Sequence, residues 1–170
     1  MGARSESLKR GDAPVFVPLH DTNPLKKIRF PYVTVGLIVL NVAAYVVLQT
    51  GWFIPLEDEE LTAFAVVPAQ LLADAGGESP FLASGAVLVP ERLTLLTYMF
   101  LHGGWVHLTG NMLFLWVFGD NIEDAMGHVR FIMFYLMCGI FAAMAHIFML
   151  PNSDLPLIGA SGAVAGVISA

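Results

Sequence analysis

Residues 100–125 read FLHGGWVHLTGNMLFLWVFGDNIEDA. Large apolar residues dominate from Trp105 to Phe118. The turn His102-Gly103-Gly104 precedes them, and Asp120, Glu123 and Asp124 follow. A helix over 105–125 rises ~1.5 Å per residue and covers the ~30 Å hydrocarbon core of a bilayer. The Gly-Gly turn separates it from a short loop helix expected at 93–101. His107 and Asn111 lie within the span, four apart and therefore on one helix face. Polar side chains inside a span are costly, which makes both functional candidates.

Outward from this segment the pattern repeats. Gly127-His128 predicts a tight turn, and the next span covers 129–150, mostly FIMFYLMCGIFAAMAHIFML. Pro151, Asn152 and Pro156 mark a short loop. GASGAVAGVISA, 159–170, then starts a further span. Upstream, PYVTVGLIVLNVAAYVVLQT carries no charge and gives a first span at 31–51. Residues 52–104 form a long loop with the acidic run Glu57-Asp58-Glu59-Glu60 and two short apolar pieces, 61–73 and 81–89, suited to lying in the membrane interface. Residues 1–29 form a polar leader broken by Pro14, Pro18 and Pro24, and 30–170 a membrane domain.

Composition agrees with this organisation. Hydrophobic residues make up 56% of the chain and charged residues 13%, whereas soluble domains carry about a quarter charged residues. Six of the eight basic residues fall within the first 29 positions, and the 52–104 loop holds seven acids and one base. A basic flank ahead of the first span predicts a cytoplasmic N-terminus and an outer 52–104 loop. Nucleic-acid binding is disfavoured by the net charge of −6 and the lack of an extended basic patch. The single cysteine, Cys138, excludes an intrachain disulfide.

Several residues have two readings. His107 and Asn111 either aim hydrogen-bond donors at one point, as an oxyanion site requires, or hold neighbouring helices together. Ser161, in Gly159-Ala160-Ser161-Gly162, opens a helix beside free amide donors and the positive dipole end, which suits a nucleophile. Its other readings are an N-cap and a small-residue packing face, because Gly162 and Gly166 form a GxxxG pair. His102 is a ligand or a structural hydrogen-bonder in its turn. His146 reads as an interfacial residue. Asp120, Glu123 and Asp124 read as a solvated helix end or a salt bridge to Arg130. Two such polar residues without Cys or carboxylate neighbours are too few for a metal site, and no cofactor is expected.

The run from His102 through His107 to Asn111 resembles the H-x(4)-H-x(3)-N signature of rhomboid intramembrane serine proteases. Residues 118–128 are similar to that family's cytoplasmic end of the second helix, and Gly159–Gly162 resembles its nucleophile motif. The likeness extends from about residue 18 to the end. It implies an all-α membrane protein, a rhomboid-like helical bundle, of which this chain would hold about three and a half of six transmembrane helices. Twelve residues from 159 make only ~18 Å of helix, so the chain is expected to be an N-terminal fragment ending in the fourth helix. The resemblance further implies Ser161 as nucleophile. His107, Asn111 and the Ser161 N–H would form the oxyanion hole, with His102, Gly159 and Gly162 shaping the site. The family's general-base histidine would lie outside this chain, leaving the fragment inactive. The partners implied are transmembrane protein substrates and the bilayer, with the protein a multi-pass component of a bacterial inner membrane. The rival implication is a non-catalytic rhomboid-like protein that binds transmembrane clients.

Overall fold

The computed structural model describes residues 25–54, 56–75 and 89–170. Most of the leader, residues 1–24, and all but Val89 and Pro90 of 76–90 lie outside the described residues, as does nearly all of the apolar piece 81–89. Among the described residues the structure is helical, with one isolated backbone bridge between Val66 and Leu157.

Helix α1 (Tyr32–Ala44) continues into a wider π-helical turn, Tyr45–Gln49. Two short helices follow, α2 (Asp58–Thr62) and α3 (Pro68–Ala75). A third, α4 (Thr94–Thr97), is flanked by 3-10 turns at Glu91–Leu93 and Tyr98–Phe100. The long helices α5 (Trp105–Met126) and α6 (His128–Met149) meet at Gly127, whose φ of +82° reverses the chain. Helix α7 (Ser161–Ile168) completes the set. Tyr32–Gln49 and His128–Met149 are long and apolar enough to cross a membrane. Helix α5 is as long as α6, but His107, Asn111 and its terminal acids dilute its apolar character. Val39, Leu40, Phe114, Trp116, Met133, Phe141 and Phe148 are exposed around the bundle, and such an apolar belt is matched by lipid rather than water.

Helix α7 packs against α6 and α5, and α1 packs against α5. The α6–α7 crossing is set by small residues. A Cβ on Gly162 would collide with the Ala142 methyl, and one on Gly166 with the Cys138 sulfur. Close backbone approach of this kind is how helices associate where hydrophobic driving force is absent. The GxxxG pair is thus a packing face, and Ser161, ~100° further round the helix, is left exposed.

The described residues of the 52–104 segment include buried ones held to the rest of the protein, which its reading as a loop does not predict. Glu57 and Glu60 form a capping box on α2, so the acidic run serves a helix start. Ala65, Val66 and Val67 are buried. Val66 and Leu157 exchange backbone hydrogen bonds of 3.2 and 2.8 Å, and Ala69 N–H donates to Ser153 O at 3.2 Å. The Thr97 hydroxyl donates to Phe64 O at 2.7 Å. Backbone polar groups in a buried segment need partners, and the 151–158 loop supplies them.

The charged end of α5 also departs from expectation. Glu123 is fully buried and does not pair with Arg130. Its carboxylate accepts the Val33 and Thr34 N–H groups at 3.0 and 2.8 Å and the Thr34 hydroxyl at 2.7 Å, and it also contacts His128 Nδ1. Asp124 accepts the backbone N–H groups of Lys26, Lys27 and Ile28 at 2.7–2.9 Å. A buried carboxylate on the open donors of a helix start is favoured by hydrogen bonding and by the helix dipole. This pair of acids therefore ties the beginning of α1 to the end of α5.

Candidate active site at the Gly159 end of the bundle

The opposite end of α5 gathers the polar residues that the sequence singles out. Gly159 is the meeting point. Its N–H donates to Tyr98 O at 2.9 Å, which holds the 157–160 strand-like segment against the 3-10 turn before α5. Its φ is +117°, a conformation that residues with a Cβ rarely adopt. A Cβ there would also lie 2.6 Å from His107 Cε1, 2.9 Å from His107 Nε2 and 3.8 Å from Asn111 Nδ2. Gly159 is thus seated directly on the His107 ring, with Asn111 one helical turn further along α5.

Two residues on, Ser161 begins α7. The first hydrogen bond of this helix joins Val164 N–H to Ala160 O at 2.9 Å. The N–H groups of Ser161, Gly162 and Ala163 therefore have no intrahelical acceptor. The Ser161 side chain is exposed, and among the described residues nothing hydrogen-bonds to it.

Asn111 is buried, and its Nδ2 has no hydrogen-bond partner among the described residues. A buried amide donor left open costs about 1–3 kcal/mol. His107 Nδ1 accepts the Gly103 N–H at 3.3 Å. A neutral imidazole that accepts at one nitrogen carries its proton on the other, so Nε2 is a donor on the Gly159 side. His107 Nε2–H and Asn111 Nδ2–H are therefore two donors on one face of α5, beside the Gly159 backbone.

His102 is buried behind His107, with ring centroids 5.2 Å apart and planes inclined by 65°. Among the described residues neither ring nitrogen finds a hydrogen-bond partner, and the Phe100 carbonyl lies near the ring outside bonding geometry. Burial first, and the neighbouring His107 second, push its pKa down to about 4, while the Phe100 carbonyl opposes this weakly. His102 is thus neutral near pH 7. Beside it is a cavity of about 400 Å³ lined by Tyr45, Gln49, Asp58, Thr62, His102 and Pro156, among others.

Comparison with known proteins matches residues 90–170 to the Rhomboid domain family. The chain belongs to the rhomboid family. Rhomboid protease GluP of Bacillus subtilis is 37% identical over 100 residues, 59% of this chain and 18% of its own length. Rhomboid-like protein 11, chloroplastic, of Arabidopsis thaliana is 34% identical over 80 residues, 47% of this chain and 28% of the relative. RHOMBOID-like protein 4 of the same plant is 28% identical over 154 residues, 82% of this chain and 38% of the relative. The chain therefore spans well under half the length of these relatives. No solved structure matches it. As a rhomboid it is an integral membrane protein, and its all-α bundle is the expected fold class.

Of the candidate residues in this rhomboid, His102, His107, Asn111 and Gly159 are brought together, and Ser161 follows Gly159 closely in sequence. Gly162 turns away to pack on Ala142, and His146 is half-buried on α6. Two contributors, Tyr98 and Gln49, carried no signal that sequence reading used, and a third, Glu123, was read as a solvated helix end or a salt bridge. Tyr98 holds Gly159 through its carbonyl and α6 through its hydroxyl, which donates to Gly139 O at 2.7 Å. Glu123 anchors α1, and Gln49 bonds to His102. A glutamine near the end of an apolar run reads simply as an interfacial residue.

Proposed function

We propose that this rhomboid is an intramembrane serine endopeptidase that cleaves transmembrane protein substrates by acyl transfer, with Ser161 as its nucleophile. In this reading Ser161 Oγ attacks the substrate carbonyl, and the negative charge passes to the carbonyl oxygen. His107 Nε2–H, Asn111 Nδ2–H and the Ser161 backbone N–H receive that oxyanion. Donors fixed in advance in a water-poor site stabilise developing charge without reorganising, each by ~2.7–4 kcal/mol. The serine proton goes to a general base, which the family resemblance assigns to a histidine on a later helix of the whole protein. Gly159 and Gly162 let backbones approach closely, and His102 backs His107. The observation that carries the reading is the seating of Gly159 on His107 beside the open Asn111 donor.

Orientation follows from charge. Lys26, Lys27, Arg29 and Arg130 sit at the Glu123 end, so that end is assigned to the cytoplasm, and Ser161 to the outer side of what we infer is a bacterial inner membrane. Ser161→Ala in the whole protein, reconstituted with a model transmembrane substrate, is expected to reduce cleavage to background. Cleavage at the unmodified rate would remove Ser161 from its role. Stable client capture without cleavage by the unaltered protein would instead favour a non-catalytic, client-binding rhomboid.

A further inference from the structure

Gln49 lies at the end of the π-helical turn that finishes α1, 53 positions before His102. Its carboxamide grips both backbone groups of His102. Nε2–H donates to His102 O at 2.8 Å, and Oε1 accepts His102 N–H at 2.8 Å. His102 sits in irregular backbone, is buried, and among the described residues has no other backbone hydrogen bond. A buried residue outside regular structure must find partners for its N–H and C=O. One planar amide supplies both here, as a neighbouring strand would. Tyr45, on the same turn, packs edge-on against Trp105 at 4.8 Å between ring centroids, so the end of α1 braces both sides of the turn that opens α5.

What this clamp fixes is the next peptide. Gly103 N–H is the donor on His107 Nδ1, and Gly103 follows the clamped residue directly. A rotation of the 102–103 peptide would withdraw that N–H. His107 Nδ1 would then be free to take the proton, leaving Nε2 a lone-pair acceptor facing the oxyanion position.

We propose that Gln49 is a positioning residue for His107: by clamping the His102 backbone it keeps Gly103 N–H on Nδ1, and so keeps the proton of the neutral ring on Nε2. This inference rests on the reading of His107 as an oxyanion donor. Gln49 touches neither substrate nor reacting atoms. A misplacement of ~1 Å transmitted from a distance costs as much as 100-fold in rate.

The test uses the whole protein in liposomes, with three variants and two readouts. Gln49→Met keeps length and removes both bonds. Gln49→Glu keeps the acceptor for His102 N–H and loses the donor to His102 O. Gln49→Asn keeps the amide and shortens its reach, and it covers the case in which the apolar variant does not fold. Expected for Gln49→Met is a 10- to 100-fold fall in kcat with KM changed less than threefold, with Gln49→Glu between it and the unaltered protein. The second readout is the tautomer of His107, read from its imidazole 15N shifts. It is expected as the Nε2–H form in the unaltered protein and as a mixture in Gln49→Met. A folded variant that keeps both kcat and the pure Nε2–H form overturns the proposal, and so does a fall in kcat with the tautomer unmoved, since that would mark a merely structural role. If the unaltered protein cleaves nothing, it is the protease reading that has failed, and the tautomer shift alone then decides the role of Gln49.

Discussion

Gly159→Ala tests the site where it is tightest. Two separate penalties arise. The first is conformational: at φ +117° a residue with a Cβ is strained, at about 1–3 kcal/mol. The second is steric. The new methyl would sit 2.6 Å from His107 Cε1 and 2.9 Å from Nε2, against a comfortable ~3.5–4.0 Å between carbon atoms. One of the two groups must retreat by about 1 Å. The Gly159 backbone is tethered by its hydrogen bond to Tyr98 O, and the His107 ring is backed by His102 and by the Gly103 N–H. The ring, attached through rotatable bonds, is the softer partner. Its displacement takes Nε2–H out of hydrogen-bonding reach of the oxyanion, and losing one such donor lowers kcat about 100- to 1,000-fold. The expected result is therefore a protein that still folds, is less stable by ~1–3 kcal/mol, and cleaves a model transmembrane substrate at least 100-fold more slowly. A double-mutant cycle with His107→Ala separates the two penalties. Without the ring, Gly159→Ala should retain only its conformational cost, so the two changes should couple. Cleavage by folded Gly159→Ala within threefold of the unaltered rate would refute the reasoning, as would strict additivity of the two changes in stability.

Two further outcomes follow from features away from the serine. Glu123→Gln places an amide N–H₂ among the Val33, Thr34 and His128 donors; leaving one buried donor unmatched should lower stability by about 1–3 kcal/mol, and an unchanged unfolding midpoint in micelles would show that the carboxylate does not anchor α1. The depressed pKa of His102, about 4 against an ordinary 6.5, makes stability fall as pH drops from 6.5 to 4, because in that window the unfolded chain binds a proton that the folded chain refuses. Above 6.5 the ring is neutral in both states and contributes no slope. Unfolding followed across this range should be less steep in His102→Gln than in the unaltered protein, and parallel curves would contradict the burial of a neutral ring.

Much of the candidate site was legible in the sequence, and the reasons are local. Polar residues in an apolar run stand out because lipid offers them nothing to bond with. The spacing of His107 and Asn111 places them on one helix face whatever the rest of the chain does. Gly127 and the 151–156 loop mark where helices must end. The packing of Gly162 and Gly166 on α6 was also one of the readings of the Gly159–Gly166 stretch. Gln49, Tyr98 and Glu123 were not legible. Each acts through a backbone group more than 40 positions away, at His102, Gly139 or Thr34, and no local pattern encodes such a partner. Glu123 is the clearest case, since an acid at a helix end has a sufficient explanation in solvent until the start of α1 is seen upon it.

The sequence by itself determined the helical membrane character and which face of α5 carries its two polar side chains, because these follow from apolar run length and helical period alone; the family was legible through the resemblance of its His102–Asn111 and Gly159–Gly162 motifs. Only the tertiary structure decided that Gly159 rests on His107, that Asn111 keeps an open donor, and that Gln49 and Glu123 fasten the two ends of α1. Those facts depend on how elements far apart in the chain approach one another. That approach is set by close packing and by the demand of buried backbone N–H and C=O groups for partners.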